Sequence, residues 1–142
     1  MKLNFRISEL IHSDTAVRYN INNMPNIDQL DNMLKLIVFC IQPIRDKLNK
    51  PMIITSGFRN SQVNKLVKGS STSEHCKGMA VDFIVNGLTV SQLVNQIRNM
   101  GIPFTQLIEE YSGNNVWVHI SYNDKNLKKE VLRYKNGIYT KI

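Results

Sequence analysis

The stretch that decides the fold is Ser73-Glu74-His75-Cys76-Lys77-Gly78-Met79-Ala80-Val81-Asp82. A polar loop leads into His75, and from Met79 to Val85 the side chains alternate between two faces, which predicts a half-buried strand. Asp82 interrupts the apolar run of this strand. An imidazole at the end of a loop and a carboxylate seven positions later are both common metal ligands. The stretch is therefore a candidate for part of a metal site.

A second histidine lies in Val116-Trp117-Val118-His119-Ile120. The two-residue period of a strand places His119 on the same face as Trp117 and away from the aliphatic side chains. If this strand lies near the strand of Asp82, two imidazoles and one carboxylate converge. Three protein ligands leave a fourth tetrahedral position for water, which is typical of a catalytic zinc site.

Two other interpretations of these residues are less favoured. Cys76 follows His75 directly and could itself be a ligand, although a free cysteine is more often a small hydrophobic residue. An iron oxygenase also uses two histidines and one carboxylate, but it usually has a close His-x-Asp pair, and the seven-residue separation here argues against it.

The rest of the chain is predicted to contain both helices and strands. The apolar spacing from Ile27 to Leu48 predicts an amphipathic helix with Asn26 as its N-cap, and Pro43 is expected to kink or split it. The other predicted helices are Gln62–Val67 and Ser91–Met100, and the predicted strands are Met52–Thr55, Phe104–Tyr111, Val116–Tyr122, Val131–Lys135 and Ile138–Ile142. Turn residues at 112–115 and at Asn136-Gly137 predict two hairpins. These elements predict an α+β fold, a small antiparallel sheet with helices packed on one face.

Size and composition exclude several classes of protein. The chain has 142 residues, of which 42% are hydrophobic and 20% charged, so we expect one globular domain spanning residues 1–142. No apolar run approaches the roughly 20 residues needed to span a bilayer, and the first residues lack a signal-type apolar segment. We therefore expect a soluble protein made without a signal peptide and not inserted in a membrane. Its two cysteines, Cys40 and Cys76, are expected to be reduced thiols.

The chain carries a formal net charge of +7, which favours anionic partners. Six cations lie from Lys125 onward, with Glu130 as the single acid among them. They are interpreted either as a docking patch for the wall or as a solvated strand face. No aromatic-interleaved basic motif accompanies them, so no nucleic-acid partner is expected. The oligomeric state stays open.

Four motifs resemble one known family. The pattern Ser73-x-His75-x-x-Gly78-x-Ala80-x-Asp82 resembles the zinc signature of the D-alanyl-D-alanine carboxypeptidase-like peptidases, whose fold is shared with the hedgehog signalling domain. The segment 117–121 resembles their second signature, and Thr55-Ser56-Gly57-Phe58-Arg59 their arginine-bearing turn. The N-terminal Glu9-Leu10 through Ser13-x-Thr15-Ala16 resembles small phage-encoded members. The similarity runs from about Phe5 to Tyr122.

The resemblance implies a cofactor and a function. His75, Asp82 and His119 would hold Zn²⁺, Arg59 would bind a substrate carboxylate or carbonyl, and Ser73 would hydrogen-bond substrate or loop backbone. The implied activity is hydrolysis of peptidoglycan stem peptides, by a D-alanyl-D-alanine carboxypeptidase or an L-alanyl-D-glutamate type endopeptidase. The implied setting is phage lysis or entry, with the protein in the host cytoplasm before lysis or in the virion and acting at the cell wall.

The general base is the remaining role to assign. Glu109 and Glu110 point to opposite faces of their strand, so only one of them can face the metal. The pattern Gln106-Leu107-Ile108-x-Glu110 resembles phage-type members, which favours Glu110 as the base, with Glu109 as an exposed strand residue. If Glu110 is not the base, it would orient a metal-binding histidine.

One position departs from the family pattern. Many of these peptidases have an acidic residue three positions before the second metal histidine, where this chain has Val116. The departure motivates an alternative function, a non-catalytic zinc-stabilised module that binds the cell wall or a virion partner.

Overall fold

A six-stranded sheet organises the part of the chain that the computed structural model describes, residues 2–142. Its strands are β1 (Ile53–Ser56), β2 (Ala80–Ile84), β3 (Gln106–Ser112), β4 (Asn115–Ser121), β5 (Glu130–Lys135) and β6 (Ile138–Lys141). Their spatial order is β1-β2-β4-β3-β5-β6. Every neighbouring pair is antiparallel except β3 and β5. The predicted α+β class with a small antiparallel sheet is confirmed, with one parallel pairing added.

The parallel pairing follows from the path of the chain. β4 returns antiparallel to β3 through a tight turn at Gly113-Asn114. The segment 122–129 then reverses the chain again and brings β5 to the free edge of β3. Backbone N–H groups of Lys129 and Glu130 donate to the carbonyls of Phe104 and Thr105 at 3.1 and 3.0 Å. These bonds set the register in which β5 follows β3.

The helices are α1 (Ile7–Ile11), α2 (Asp14–Arg18), α3 (Ile27–Leu36), α4 (Gln42–Leu48), α5 (Ser61–Leu66) and α6 (Val90–Arg98). The predicted split of the long helix takes the form of a π-helical turn, Ile37–Ile41, that joins α3 to α4. Pro43 follows this turn in the first turn of α4, where a missing N–H costs little. Asn26 caps α3 as predicted, accepting from the Gln29 N–H at 2.8 Å. Within residues 2–142, no helix is both long and apolar enough to cross a bilayer.

The two faces of the sheet have different roles. Helices α3, α4 and α6 pack against one face, and the buried core there includes Leu36, Ile41, Ile44, Val81, Phe83, Leu93, Ile97, Leu107, Val118 and Ile120. The opposite face carries Asp82, Glu110, Trp117 and His119. Because neighbouring side chains of a strand alternate, burial of the aliphatic set directs the polar set to this second face.

The half-buried character predicted for β2 is wrong. Four of its five residues are buried, including Ala80 and Asp82 on the polar face. A 3-10 turn at Glu74–Lys77 precedes this strand and contacts it. This cover on the second face explains why the carboxylate of Asp82 is shielded from water.

Candidate metal centre

The structure brings His75, Asp82 and His119 together. One ligand atom from each lies within 4.8 Å of the other two, and all three residues are buried. Asp82 Oδ1 lies 3.2 Å from His75 Nε2 and 3.0 Å from His119 Nδ1. Asp82 and His119 are direct cross-strand partners of β2 and β4, so the sheet register itself joins two of the three.

The geometry and protonation of this cluster fit a zinc ion. Ligand atoms about 2.0–2.2 Å from a tetrahedral zinc lie about 3.3 Å apart, close to the separations observed. His75 Nδ1 donates to the Gly57 carbonyl at 2.8 Å. Since a carbonyl only accepts, Nδ1 carries a proton, and Nε2 is the ring nitrogen that faces the centre of the cluster and would bind the metal. Two imidazoles and one carboxylate are a donor set that zinc prefers.

The electrostatics of the cluster keep the carboxylate ionised. Burial alone would raise the pKa of Asp82, but the charge and hydrogen bonding of His75 and His119 hold it well below its usual range. Burial also opposes a charge on His119, yet the carboxylates of Asp82 and Glu110 raise its pKa above 6.5. The buried carboxylate is thus available as an anionic ligand, whereas a metal ion would have to displace the proton that His119 holds more tightly than usual.

The turn that carries His75 is fixed by its own residues and by helix α3. Ser73 Oγ accepts from the His75 N–H at 3.2 Å, and Gly78 ends the turn with φ of +74°. A Cβ on Gly78 would lie 2.4 Å from the Gln29 carbonyl oxygen, so only glycine fits here. Gln29 Nε2 and Asn32 Nδ2 donate to the carbonyls of residues 76 and 77 at 3.2 and 2.9 Å. Sequence analysis missed both amides, because they look like ordinary polar positions of an amphipathic helix.

The Arg59 turn meets the His75 turn. Gly57 has no room for a side chain, since a Cβ would lie 2.2 Å from the Leu10 carbonyl oxygen. The N–H of Arg59 donates to the His75 carbonyl at 3.2 Å, and its Nη2 donates to Ser73 Oγ at 3.3 Å. Arg59 Nε is buried and has no hydrogen-bond partner within the described residues. Arg59 also lines the cleft over the cluster.

Asn23 is a further residue that the sequence did not reveal. Its buried amide donates to the carbonyls of Ile11 and Phe58 at 2.7 and 3.0 Å and accepts from the Asn60 N–H at 2.8 Å. It ties the N-terminal segment to the Arg59 turn. Asn23 lies in a polar, asparagine-rich stretch without periodicity, which gave no signal of a structural role.

The structure separates the two candidate bases. Glu110 Oε1 lies 3.6 Å from His119 Nδ1, and burial raises the pKa of this carboxyl. Glu109 points to the opposite face, as expected, but it is only 1% exposed, so its interpretation as an exposed strand residue is wrong. Although burial opposes it, hydrogen bonds from Tyr111 and Arg133 lower the pKa of Glu109. Glu109 therefore forms an ion pair with the half-exposed Arg133 on the face opposite the metal cluster.

A cleft of about 510 Å³ opens over the metal cluster. It is lined by the three ligands and by Arg59, Ser73, Glu110, Trp117, Tyr134 and Tyr139, among others. The two tyrosines were not predicted as site residues. The Asn136-Gly137 turn contained a signal for them, since a two-residue hairpin turn there pairs position 134 with 139.

The remaining candidates lie outside the cluster. Cys76 is a half-buried free thiol and is not among the grouped ligands. His12 is exposed, pairs with Asp14 at 2.9 Å and is not among the grouped ligands. Cys40 is a buried free thiol, and burial raises its pKa. A reactive or metal-binding role for either cysteine therefore gains no support.

Comparison with known proteins gives one family. The profile of the family described as Peptidase M15 matches residues 3–121. The match contains every candidate ligand together with Arg59, Ser73 and Glu110, and it ends with β4. No curated protein matches the chain.

Proposed function

Since the chain belongs to the peptidase M15 family, we propose that it is a zinc-dependent peptidase that hydrolyses the stem peptides of peptidoglycan. The observation that carries the proposal is the convergence of His75, Asp82 and His119 at the base of an open cleft. The substrate rests on the resemblance of its motifs to D-alanyl-D-alanine carboxypeptidase-like enzymes. Phage lysis or entry, as the setting, rests on the resemblance of the N-terminal segment.

The ligand set assigns the cofactor a specific chemical role. Zn²⁺ held by His75, Asp82 and His119 would lower the pKa of a bound water to about 7 and polarise the scissile carbonyl. The Gly57 carbonyl fixes the His75 ring in the tautomer that this requires. Asp82 contributes the negative charge that balances part of the charge of the ion.

We assign the role of general base and general acid to Glu110. Its carboxylate lies next to His119 at the edge of the cluster, and its side chain is 20% exposed towards the cleft. As general base it accepts a proton from the attacking water, and as general acid it returns that proton to the leaving amine. The raised pKa suits both halves of this cycle, because the group must accept and release a proton near neutral pH.

Arg59 is the proposed binding residue for a carboxylate of the substrate. The guanidinium lines the cleft, and a planar fork of this kind forms bidentate bonds with a carboxylate. Ser73 accepts from both the His75 N–H and Arg59 Nη2. It thereby links the side chain that binds substrate to the turn that carries a ligand.

Glu110→Gln tests the assignment of the base. We expect the variant to retain one zinc per chain and to lose turnover by at least about 100-fold, the usual contribution of a general base. Digested muropeptides are analysed by mass spectrometry, which also identifies the bond that is cut. Glu9→Gln is the matched control, because Glu9 is exposed on α1 and glutamine preserves its bond to the Arg6 N–H.

Two results would contradict the proposal. Full activity of Glu110→Gln removes that residue from the mechanism. Intact muropeptides after incubation with the zinc-loaded wild-type protein, together with retention of the protein on purified walls, would instead favour the non-catalytic binding module.

A further inference from the structure

The β5–β6 hairpin lies beyond the part of the chain that the family profile matches, yet it contributes to the same cleft. Parallel pairing with β3 sets Tyr134 beside Glu110, and the hairpin register sets Tyr139 beside Tyr134. On the other side of Glu110 the cross-strand partner is Trp117. A single row of residues across the sheet therefore consists of Trp117, Glu110, Tyr134 and Tyr139, in that order. The candidate base lies between aromatic side chains from three different strands.

The two tyrosine rings are available to a ligand. Their centroids are 4.6 Å apart and their planes are inclined at 45°, so they form an angled pair rather than a closed stack. Tyr139 is 59% exposed. Tyr139 lines the same cleft as Glu110.

An angled pair of tyrosines suits one class of ligand. A pyranose ring has apolar C–H faces and a rim of hydroxyl groups, whereas tyrosine has an apolar ring face and a hydroxyl at its tip. Exposed aromatic rings with a polar tip are suited to binding a ligand that has one apolar face and one hydrated face. They also lose little conformational entropy on binding.

We propose that Tyr134 and Tyr139 form a subsite for a sugar ring of the glycan strand, so that the enzyme prefers stem peptides still attached to glycan. This inference rests on the proposed function. Adjacent strands are about 4.8 Å apart, so a sugar on Tyr134 lies about one peptide residue from a bond held beside Glu110. The bond between L-alanine and D-glutamate, which the lactyl group and one residue separate from the sugar, comes nearest to that spacing among the peptide bonds of the stem, and the terminal D-alanyl-D-alanine bond, three residues further along, is too far away. The subsite therefore selects the endopeptidase mode.

The first test compares two substrates that differ only in the sugar. One is a disaccharide-linked stem peptide, and the other is the same peptide released from its disaccharide. We expect kcat/KM of the wild type to favour the linked form by about tenfold, the upper range for an added aromatic contact. Tyr139→Ala should bring the ratio of the two values close to one. Tyr19→Ala is the matched control, because Tyr19 is 56% exposed outside the cleft.

The second test needs no turnover. Trp117 is the only tryptophan of the chain and lines the cleft, so its fluorescence reports on occupancy. Titration with the peptide-free disaccharide of N-acetylglucosamine and N-acetylmuramic acid should give a saturable change in the wild type and in Tyr19→Ala. Tyr139→Phe keeps the ring and should keep the response. Tyr139→Ala should lose it while melting with a single cooperative transition.

The outcomes separate the two proposals. Equal kcat/KM for both substrates in the wild type, with no fluorescence response to the disaccharide, overturns the sugar subsite and leaves the peptidase intact. A disaccharide response without cleavage of either substrate supports the subsite and contradicts the peptidase. Exclusive cleavage of a terminal D-alanyl-D-alanine bond also overturns the subsite, because it places the sugar too far from Tyr134.

Discussion

The carbonyl of Gly57 determines which nitrogen of His75 faces the metal cluster. Its contact with His75 Nδ1 fixes both the ring orientation and the tautomer, and it comes from the same turn that carries Arg59. The Phe58 N–H fixes the Arg59 turn by donating to the Leu10 carbonyl at 2.6 Å. The Arg59 turn and the zinc motif are separate in sequence but form one unit in space. A change in either is therefore expected to disturb metal binding and substrate binding together.

Loss of a ligand should remove the metal. We expect His119→Ala and Asp82→Asn to lower zinc affinity by more than about 100-fold, the upper cost of losing only an outer partner of a ligand. His12→Ala is the control, since His12 is exposed and pairs only with Asp14. Zinc per chain after dialysis, measured by atomic absorption, checks this. Unchanged zinc content in His119→Ala would contradict the ligand assignment.

The pH dependence of zinc binding should have a definite sign. Zinc requires a neutral imidazole, and the pKa of His119 is raised above 6.5 in the metal-free protein. Below that raised pKa a proton must be displaced, so the apparent affinity should fall by about tenfold per pH unit for this group. Asp82 stays ionised throughout, because its pKa is lowered. Competition with a chromophoric chelator between about pH 5 and 8 measures the slope, and a flat profile would contradict the assignment.

At the level of elements, the site depends on how closely the His75 turn approaches α3. Gly78 has φ of +74° and lies against the Gln29 backbone, whereas Gly101 has φ of +72° with nothing near its absent Cβ. An alanine in the left-handed region costs about 1–2 kcal/mol, and a clash with a packed helix adds about 1–3 kcal/mol. Gly78→Ala should therefore lower the free energy of unfolding by about 3 kcal/mol. Gly101→Ala should lower it only by the cost of the left-handed conformation, about 1–2 kcal/mol.

Denaturant unfolding of the two variants measures this difference. Gly78→Ala should also weaken zinc binding, because the displaced turn carries His75, while Gly101→Ala should not. Equal destabilisation of the two variants would show that backbone strain alone matters and that the approach to α3 does not.

The elements also show what sequence can and cannot predict. β4 was predicted to within one residue of each end, because its alternation and flanking turn are local signals. Helices α1 and α2, of five residues each, were missed because they are too short for a 3.6-residue period to be visible. The β3–β5 pairing was missed because hairpin signals identify only partners that follow one another in sequence.

For the whole molecule, the motifs identified the candidate site residues but not their surroundings. His75, Asp82 and His119 were proposed from ligand chemistry and resemblance, and the sheet register then placed them together. Glu109 could be separated from Glu110 by strand period, but its partner Arg133 lies 24 residues away in sequence, on a strand whose pairing with β3 was not predicted. Asn23 supports the Arg59 turn through tertiary contacts that leave no mark in a single sequence, whereas the Asn136-Gly137 turn did carry a signal for the position of Tyr139. The sequence thus indicates the candidate site residues, whereas the fold determines their burial, their pKa values and their neighbours.

The buried metal cluster should make the stability of the whole chain depend on zinc. Without a cation, the ionised carboxylate of Asp82 lies among buried groups and loses much of its solvation. A ligand that binds only the folded state at 1,000 times its Kd adds about 4 kcal/mol to the free energy of unfolding. At about 2–4 °C per kcal/mol for a chain of this size, zinc should raise Tm by roughly 10 °C.

Thermal melts followed by circular dichroism, with zinc or with chelator, test this dependence. His119→Ala should show no zinc-dependent shift, and Mg²⁺ should not replace zinc, because it prefers an octahedral set of oxygen ligands. An identical Tm for the wild type in zinc and in chelator would mean that the three side chains do not bind the ion in the folded state. The cluster would then be a buried polar network whose stability comes from the hydrogen bonds of Asp82 to the two imidazoles, and the proposed chemistry would lose its basis.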